Sequence, residues 1–209
     1  MTRGVGGSDA ATELAAIRPM LAGIEPIAES EYRARRQRAQ SLLAENAVTA
    51  LYLNAGSNLR YFTGTRWSPS ERLVGAILTA SGELHYFAPA FERDTLQGFM
   101  VLEGELHCWE EHEDPYGLVA DVLSGTSSAG DILAVDESAP FFLVEGLSQA
   151  LPETRLRAAT DITHACRVRK SDAELTLMQR AKDITLQIHR HTARMLRPGI
   201  TTAEVQEFI

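Results

Sequence analysis

An α/β domain built on a mixed β-sheet flanked by helices is the fold class this sequence predicts. Three observations lead there. Apolar runs of strand length, Val48–Leu53, Leu73–Thr79 and Ile132–Val135, alternate with segments of helical character. Prolines stand where helices are expected to open, at Pro89, Pro115 and Pro140. One pair of runs, Leu73–Thr79 and Leu84–Ala88, is joined by the turn Ala80–Glu83, as in a hairpin. Alternating strands and helices imply parallel pairing and an internal hairpin implies antiparallel pairing, so the sheet is mixed.

The elements follow in order. Residues 1–10 are Gly-rich and expected to be mobile, and Glu13–Leu21 reads as a short helix stopped or kinked near Pro19. An N-cap at Ser30 opens a clearer helix with Tyr32, Ala39, Leu42 and Leu43 as its apolar stripe. Arg33, Arg35, Arg36 and Arg38 crowd its first half and read as a solvated face. Val48–Leu53 is the first strand and Leu59–Phe62 the second, followed by the hairpin. Pro89–Gln97 is a helix, Leu106–Trp109 a strand, Pro115–Leu123 a helix, and 125–130 a Ser/Gly-rich loop. Ile132–Val135, a helix over Pro140–Leu151 and a last strand at Arg155–Ala158 complete the sheet domain.

From Asp161 the character changes to helix. Ser171-Asp-Ala-Glu174 is a capping box, in which the Ser hydroxyl and the Glu carboxylate satisfy each other's orphan backbone N–H groups. It opens a helix that runs to Leu196, with Leu177, Ala181, Ile184, Ile188 and Met195 at helical spacing. A second box, Thr201-Thr-Ala-Glu204, starts a helix whose Val205, Phe208 and Ile209 need a partner surface. The expected organisation is a tail over 1–29, a sheet domain over 30–160, and a linker with the truncated start of a second domain over 161–209.

Composition narrows the function. A chain of 209 residues with 44% hydrophobic and 23% charged residues holds a core without disulfides or metal. Cys108 and Cys166 form no Cys-x-x-Cys motif and read as free thiols in a reducing compartment, so a cytoplasmic location is expected. The net charge of −8 argues against nucleic acid as a partner, and no apolar run approaches the ~20 residues of a membrane span.

The stretch with most chemical character is Asn54–Val74. A strand enters a Gly/Ser/Asn turn, and a loop then gathers Arg66, Trp67, Glu71 and Arg72. Loops fixed at both ends by a sheet are where binding chemistry concentrates. Two readings stand: a substrate-contacting loop, or a surface loop in which Trp67 packs beneath and Arg72 pairs with Glu71. Elsewhere the inventory is thin. His189 and His191 are two apart on a helix and point in different directions. His107 and His112 flank an acidic patch and read as surface residues, and Asp131 and Asp136 as strand-end turn residues. No Gly-x-Ser-x-Gly or Gly-x-x-x-x-Gly-Lys motif is present, and the sequence assigns neither a catalytic centre nor metal ligands to this chain.

Three segments resemble one family. Ser57-Asn-Leu-Arg-Tyr-Phe-Thr-Gly64 resembles the Asn-x-x-Tyr-x-[Thr/Ser]-Gly segment in the N-terminal domain of creatinases, prolidases and Xaa-Pro aminopeptidases. Arg167-Val-Arg-Lys-Ser-Asp-Ala-Glu-Leu-x-Leu-Met-x-x-Ala181 resembles the entry to their pita-bread catalytic domain. Leu196-Arg-Pro-Gly-x-Thr-x-x-Glu204-Val resembles the end of that domain's first helix. The loop Arg-Trp-x-x-Ser-Glu-Arg is similar to that of bacterial Xaa-Pro dipeptidases.

The resemblance implies an N-terminal domain that mediates homodimerisation and lends loop residues, here Arg66, Trp67, Glu71 and Arg72, to the partner subunit's site. It implies proline-containing peptides as substrates of the complete protein. It also implies a pair of divalent ions (Mn²⁺, Co²⁺ or Zn²⁺) held by two Asp, one His and two Glu, which activate a bridging water. Those ligands are expected beyond Ile209, so none is assigned here and this chain by itself is expected to be inactive. A stand-alone dimerisation or protein-binding module and a piece of a metal-free creatinase-like amidinohydrolase remain alternatives.

Overall fold

The computed structural model describes residues 4–124 and 131–209, so the 125–130 loop lies outside the described residues. The chain divides into two compact units. One comprises Ala28–Arg169, and the other combines the chain up to Ile27 with Lys170–Ile209.

The larger unit is a six-stranded mixed sheet in the order β4-β3-β2-β1-β5-β6. Its strands are β1 (Ala50–Asn54), β2 (Gly75–Thr79), β3 (Leu84–Pro89), β4 (Glu105–Trp109), β5 (Ile132–Val135) and β6 (Arg155–Ala158). Every residue of β1 and β2 is buried, as central strands covered on both faces require. β1 pairs antiparallel with β2 and parallel with β5, and β2 and β3 form the expected antiparallel hairpin. β3–β4 and β5–β6 are parallel.

Alternation along the strands sends side chains into two cores. Leu51, Leu53, Leu78 and Tyr86 face α2 (Glu29–Glu45), α3 (Ser57–Thr63) and α7 (Thr160–Arg167), which contribute Leu43, Phe62 and Ile162. Ala50, Tyr52, Ile77 and Phe87 face α5 (Pro115–Ser124) and α6 (Phe141–Ala150), which contribute Val119, Leu123, Leu143 and Leu147. Gly146 brings α6 against α5: a Cβ there would collide with the ring of Tyr116.

Three expectations are corrected. Leu59–Phe62 is helix α3, not a strand; Gly56 and the left-handed Gly64 (φ 79°) bracket it, and Leu59 and Phe62, three apart, share its buried face. Helix α2 begins at Glu29 after Ala28, without a side-chain cap, and Ser30 lies inside it. Glu29 and Glu31 occupy its first turn, where the helix dipole favours carboxylates. Arg35 is not on a solvated face: it is 8% exposed, pairs with Glu31, and lies 4.2 Å over the Tyr61 ring.

In the smaller unit, α1 spans Ala10–Ala16, α8 Asp172–Met195 and α9 Thr202–Phe208. Both capping boxes form as read. Helix α1 ends before Pro19, and buried Glu13 pairs with His191 and Arg194 of α8. The described start of the chain is tied down rather than loose: the Gly6 and Ser8 N–H groups donate to the Ala193 and Arg194 carbonyls at 2.9 and 3.1 Å. Among the described residues, no helix is long and apolar enough to cross a membrane.

Candidate functional site

The loop 65–72 leaves α3 through a tightly specified exit. Thr63 Oγ1 donates to the Leu59 carbonyl at 2.7 Å and accepts from the Thr65 N–H at 3.1 Å. A Cβ on Gly64 would sit 2.7 Å from Val101 Cβ and 3.0 Å from the Tyr32 ring, so glycine is required by crowding as well as by its positive φ. Thr65 is fully buried, and at the far end Leu73 is buried with its carbonyl accepting from Trp109 Nε1 at 3.4 Å. The loop is therefore held at both ends while its middle stays exposed.

Behind α3 lies a buried polar junction. Asn58 Nδ2 donates to Asp136 Oδ1 at 2.8 Å and to Glu137 Oε1 at 3.2 Å, and its own carbonyl accepts from Arg167. Asp136 is 2% exposed and also accepts from the Asn54 N–H at 3.1 Å and from the Ser138 N–H at 2.8 Å. Thr163 donates to Glu137, and Tyr61 Oη donates to the Cys166 carbonyl at 2.8 Å. Asp136 is thus more than the turn residue expected of it. Within the 57–64 motif, Asn58 fastens α3 to the loop after β5 and Tyr61 fastens it to α7, while Thr63 and Gly64 shape the helix exit.

The exposed middle of the loop borders a cavity of about 650 Å³, within the range of small-molecule sites. Arg66, Trp67 and Arg72 line it together with Arg60, Glu92 and Phe99. Glu71, the fourth expected residue, does not line it; it is exposed and pairs with Arg72. Arg72 also donates to Glu111 at 2.9 Å, and that hydrogen bond raises the pKa of its guanidinium above the ordinary value. Arg60 and Arg66 are exposed, and neither forms an ion pair among the described residues. Trp67 is half-buried against the core and meets Phe99 edge-on, with ring centroids 6.3 Å apart. The Arg66 guanidinium lies 5.8 Å over the same Phe99 ring. The packing reading of Trp67 and Arg72 holds, since Trp67 packs on the core and Arg72 pairs locally with Glu71, and both residues also line the cavity.

Chemically, the cavity offers planar guanidinium donors for a carboxylate beside an aromatic wall suited to an apolar ring. Phe99, Glu92 and Glu111 were not singled out by sequence reasoning. They come from the 3-10 turn Ala90–Glu92, from α4 (Arg93–Phe99) and from the segment after β4, and no local signal marks them. Arg60 lies inside the 57–64 motif and could have been flagged there.

Among the described residues, one group of three candidate metal ligands converges: His85, Glu105 and His107. His107, expected on the surface, has a side chain only 15% exposed; His112 is exposed as expected. Two imidazoles and one carboxylate do not fit a two-ion centre of two Asp, one His and two Glu, so peptide hydrolysis by such a pair is not assigned to them.

Residues 35–169 match the Creatinase/Prolidase N-terminal domain. The probable dipeptidase PepE of Mycobacterium tuberculosis is 30% identical over 176 residues, which are 83% of this chain and 46% of that protein. The crystal structure of dipeptidase PepE from Mycobacterium ulcerans, 28% identical, superposes with a TM-score of 0.77 over 88% of this chain and 49% of that one. The N-terminal domain of Xaa-Pro dipeptidase from Lactobacillus brevis shares the fold with a TM-score of 0.54 at 18% identity, covering 63% of this chain and 98% of that domain. The chain spans about half the length of the curated relatives it matches. With its mixed sheet, its fastened α3 motif and this match, the chain belongs to the creatinase/prolidase N-terminal domain family.

Proposed function

We propose that this chain is the N-terminal half of a cytoplasmic, homodimeric Xaa-Pro dipeptidase, and that its 65–72 loop shapes the peptide-binding site of the partner subunit. The observation that carries this reading is the cavity that gathers Arg66, Trp67 and Arg72 at the exposed middle of a loop fixed at both ends. In this role an arginine fork, Arg66 or Arg60, takes the free carboxylate of the dipeptide. Trp67, backed by Phe99, covers the proline ring and excludes water. Glu71 and Glu111 hold Arg72 in orientation. The divalent metal pair that would activate the attacking water belongs to residues outside this chain. The free Cys108 and Cys166 suit a reducing compartment.

The test is steady-state kinetics of the complete protein on an Xaa-Pro dipeptide. Arg66→Ala removes a charged hydrogen bond worth about 1.5–3 kcal/mol, so kcat/KM falls roughly tenfold to a hundredfold. Trp67→Ala lowers it in the same direction. Unchanged kinetics in both variants would remove the loop from the site.

A further inference from the structure

We propose that His85, Glu105 and His107 form a mononuclear zinc site that ties the edge strand β4 to β3. The ligands come from neighbouring parallel strands, with His85 opposite Glu105 and Phe87 opposite His107. Residues two apart on a strand share a face, so Glu105 and His107 project together and His85 meets them across the ladder. His85 Nδ1 and His107 Nε2 are 3.1 Å apart, and Glu105 Oε2 lies 3.6 Å from the first and 3.7 Å from the second. A triangle with sides of 3.1, 3.6 and 3.7 Å has a circumradius of about 2.0 Å, which is the length of a Zn–N or Zn–O bond. An ion at or just above the plane of the three donor atoms therefore reaches all of them without moving a side chain.

The donor set and its setting point to a borderline divalent ion rather than to Ca²⁺ or Mg²⁺, which take all-oxygen shells. His85 and His107 are 14% and 15% exposed, so their rings are held by packing; His107 stacks on Phe87 with centroids 5.2 Å apart. Glu105 is 69% exposed, which leaves the fourth position open to water. A hydrogen bond between the two imidazoles accounts for their separation alone, but not for the carboxylate oxygen placed at nearly equal distance from both nitrogens.

The experiment is calorimetric titration of the metal-stripped 209-residue chain with ZnCl₂, together with thermal unfolding and the visible spectrum after Co²⁺ substitution. The expected result is one Zn²⁺ per chain, a Tm that rises with Zn²⁺, and a four-coordinate Co²⁺ band. His85→Ala and His107→Ala abolish all three. Glu105→Gln, at an exposed position that leaves the metal-free Tm unchanged, weakens binding at least tenfold. No stoichiometric binding, or binding that Glu105→Gln and both histidine variants leave intact, would overturn the site.

Discussion

Asn58 and Asp136, 78 residues apart in sequence, meet inside the domain through a 2.8 Å hydrogen bond from Nδ2 to Oδ1. Both are 2% exposed, and Asp136 also collects the Asn54 N–H and the Ser138 N–H and hydroxyl. The end of β1, the start of α3 and the loop after β5 converge on this one carboxylate. Removing a partner from a buried charge leaves a desolvated acceptor, so Asn58→Ala is expected to lower stability by about 1–3 kcal/mol. Urea unfolding of the two proteins, read by the shift in midpoint, checks it.

Gly64 gives a second prediction on the same route to the loop. Gly64→Ala meets both a left-handed backbone, φ 79°, and a Val101 methine carbon 2.7 Å from the new Cβ. A loss of about 1–3 kcal/mol is expected from the strain, without help from relaxation of the Tyr32 ring on the other side. Thermal unfolding of Gly64→Ala beside a neutral surface change such as Ser41→Ala measures it.

Arg72 separates the structural and binding parts of the loop. Its pairs with Glu71 and Glu111 lie at the surface, where such pairs add little to stability. Arg72→Ala should leave Tm essentially unchanged while raising KM for an Xaa-Pro dipeptide in the complete protein. A large fall in Tm with unchanged KM would assign Arg72 to the scaffold instead.

Acid stability of the smaller unit has a predictable sign. The Thr201 N–H, together with Arg197 and the Thr201 hydroxyl, holds the Glu204 carboxyl down to about 2 from its ordinary value of 4.5. A depressed folded-state value means that the ionised carboxylate stabilises the fold above about pH 4.5, and the contribution is lost as the pH falls toward 2. Glu13 is shifted in the same direction by the Ser8 hydroxyl and then by His191 and Arg194. Glu204→Gln should therefore flatten the dependence of stability on pH below 4.5 and leave it unchanged above pH 6. Denaturant midpoints measured from pH 2 to 7 give the comparison.

The fold was legible where a local cap, turn or apolar run decides the element. The hairpin, both capping boxes and β5 stand where the sequence puts them. Helix α3 was misread because its seven residues span about two turns, and Leu59, Tyr61 and Phe62 mimic a short apolar strand. The cue that would have decided it was the pair of bracketing glycines, Gly56 and Gly64. Three of the four loop residues reach the cavity, because loop chemistry is local. Phe99 and Glu111 were invisible, and Asp136 was read only as a turn residue, for the opposite reason: their partners are supplied by tertiary packing, which one sequence does not display. The His85–Glu105–His107 group was not assembled from sequence, where His107 was read with His112 as a surface residue beside an acidic patch. Two residues apart means divergence on a helix and convergence on a strand, and His85 joins Glu105 and His107 only through the β3–β4 register.

The central claim, that the loop serves the site of a partner subunit, is tested most directly by complementation within a mixed dimer. One variant of the complete protein carries Arg66→Ala and Trp67→Ala, and the other carries an intact loop with a catalytic metal ligand substituted. Co-expressed hybrids are predicted to hydrolyse an Xaa-Pro dipeptide well above the sum of the two variants, because an intact catalytic domain then faces an intact loop. Activity no greater than that sum, in dimers shown to contain both subunits, would contradict it.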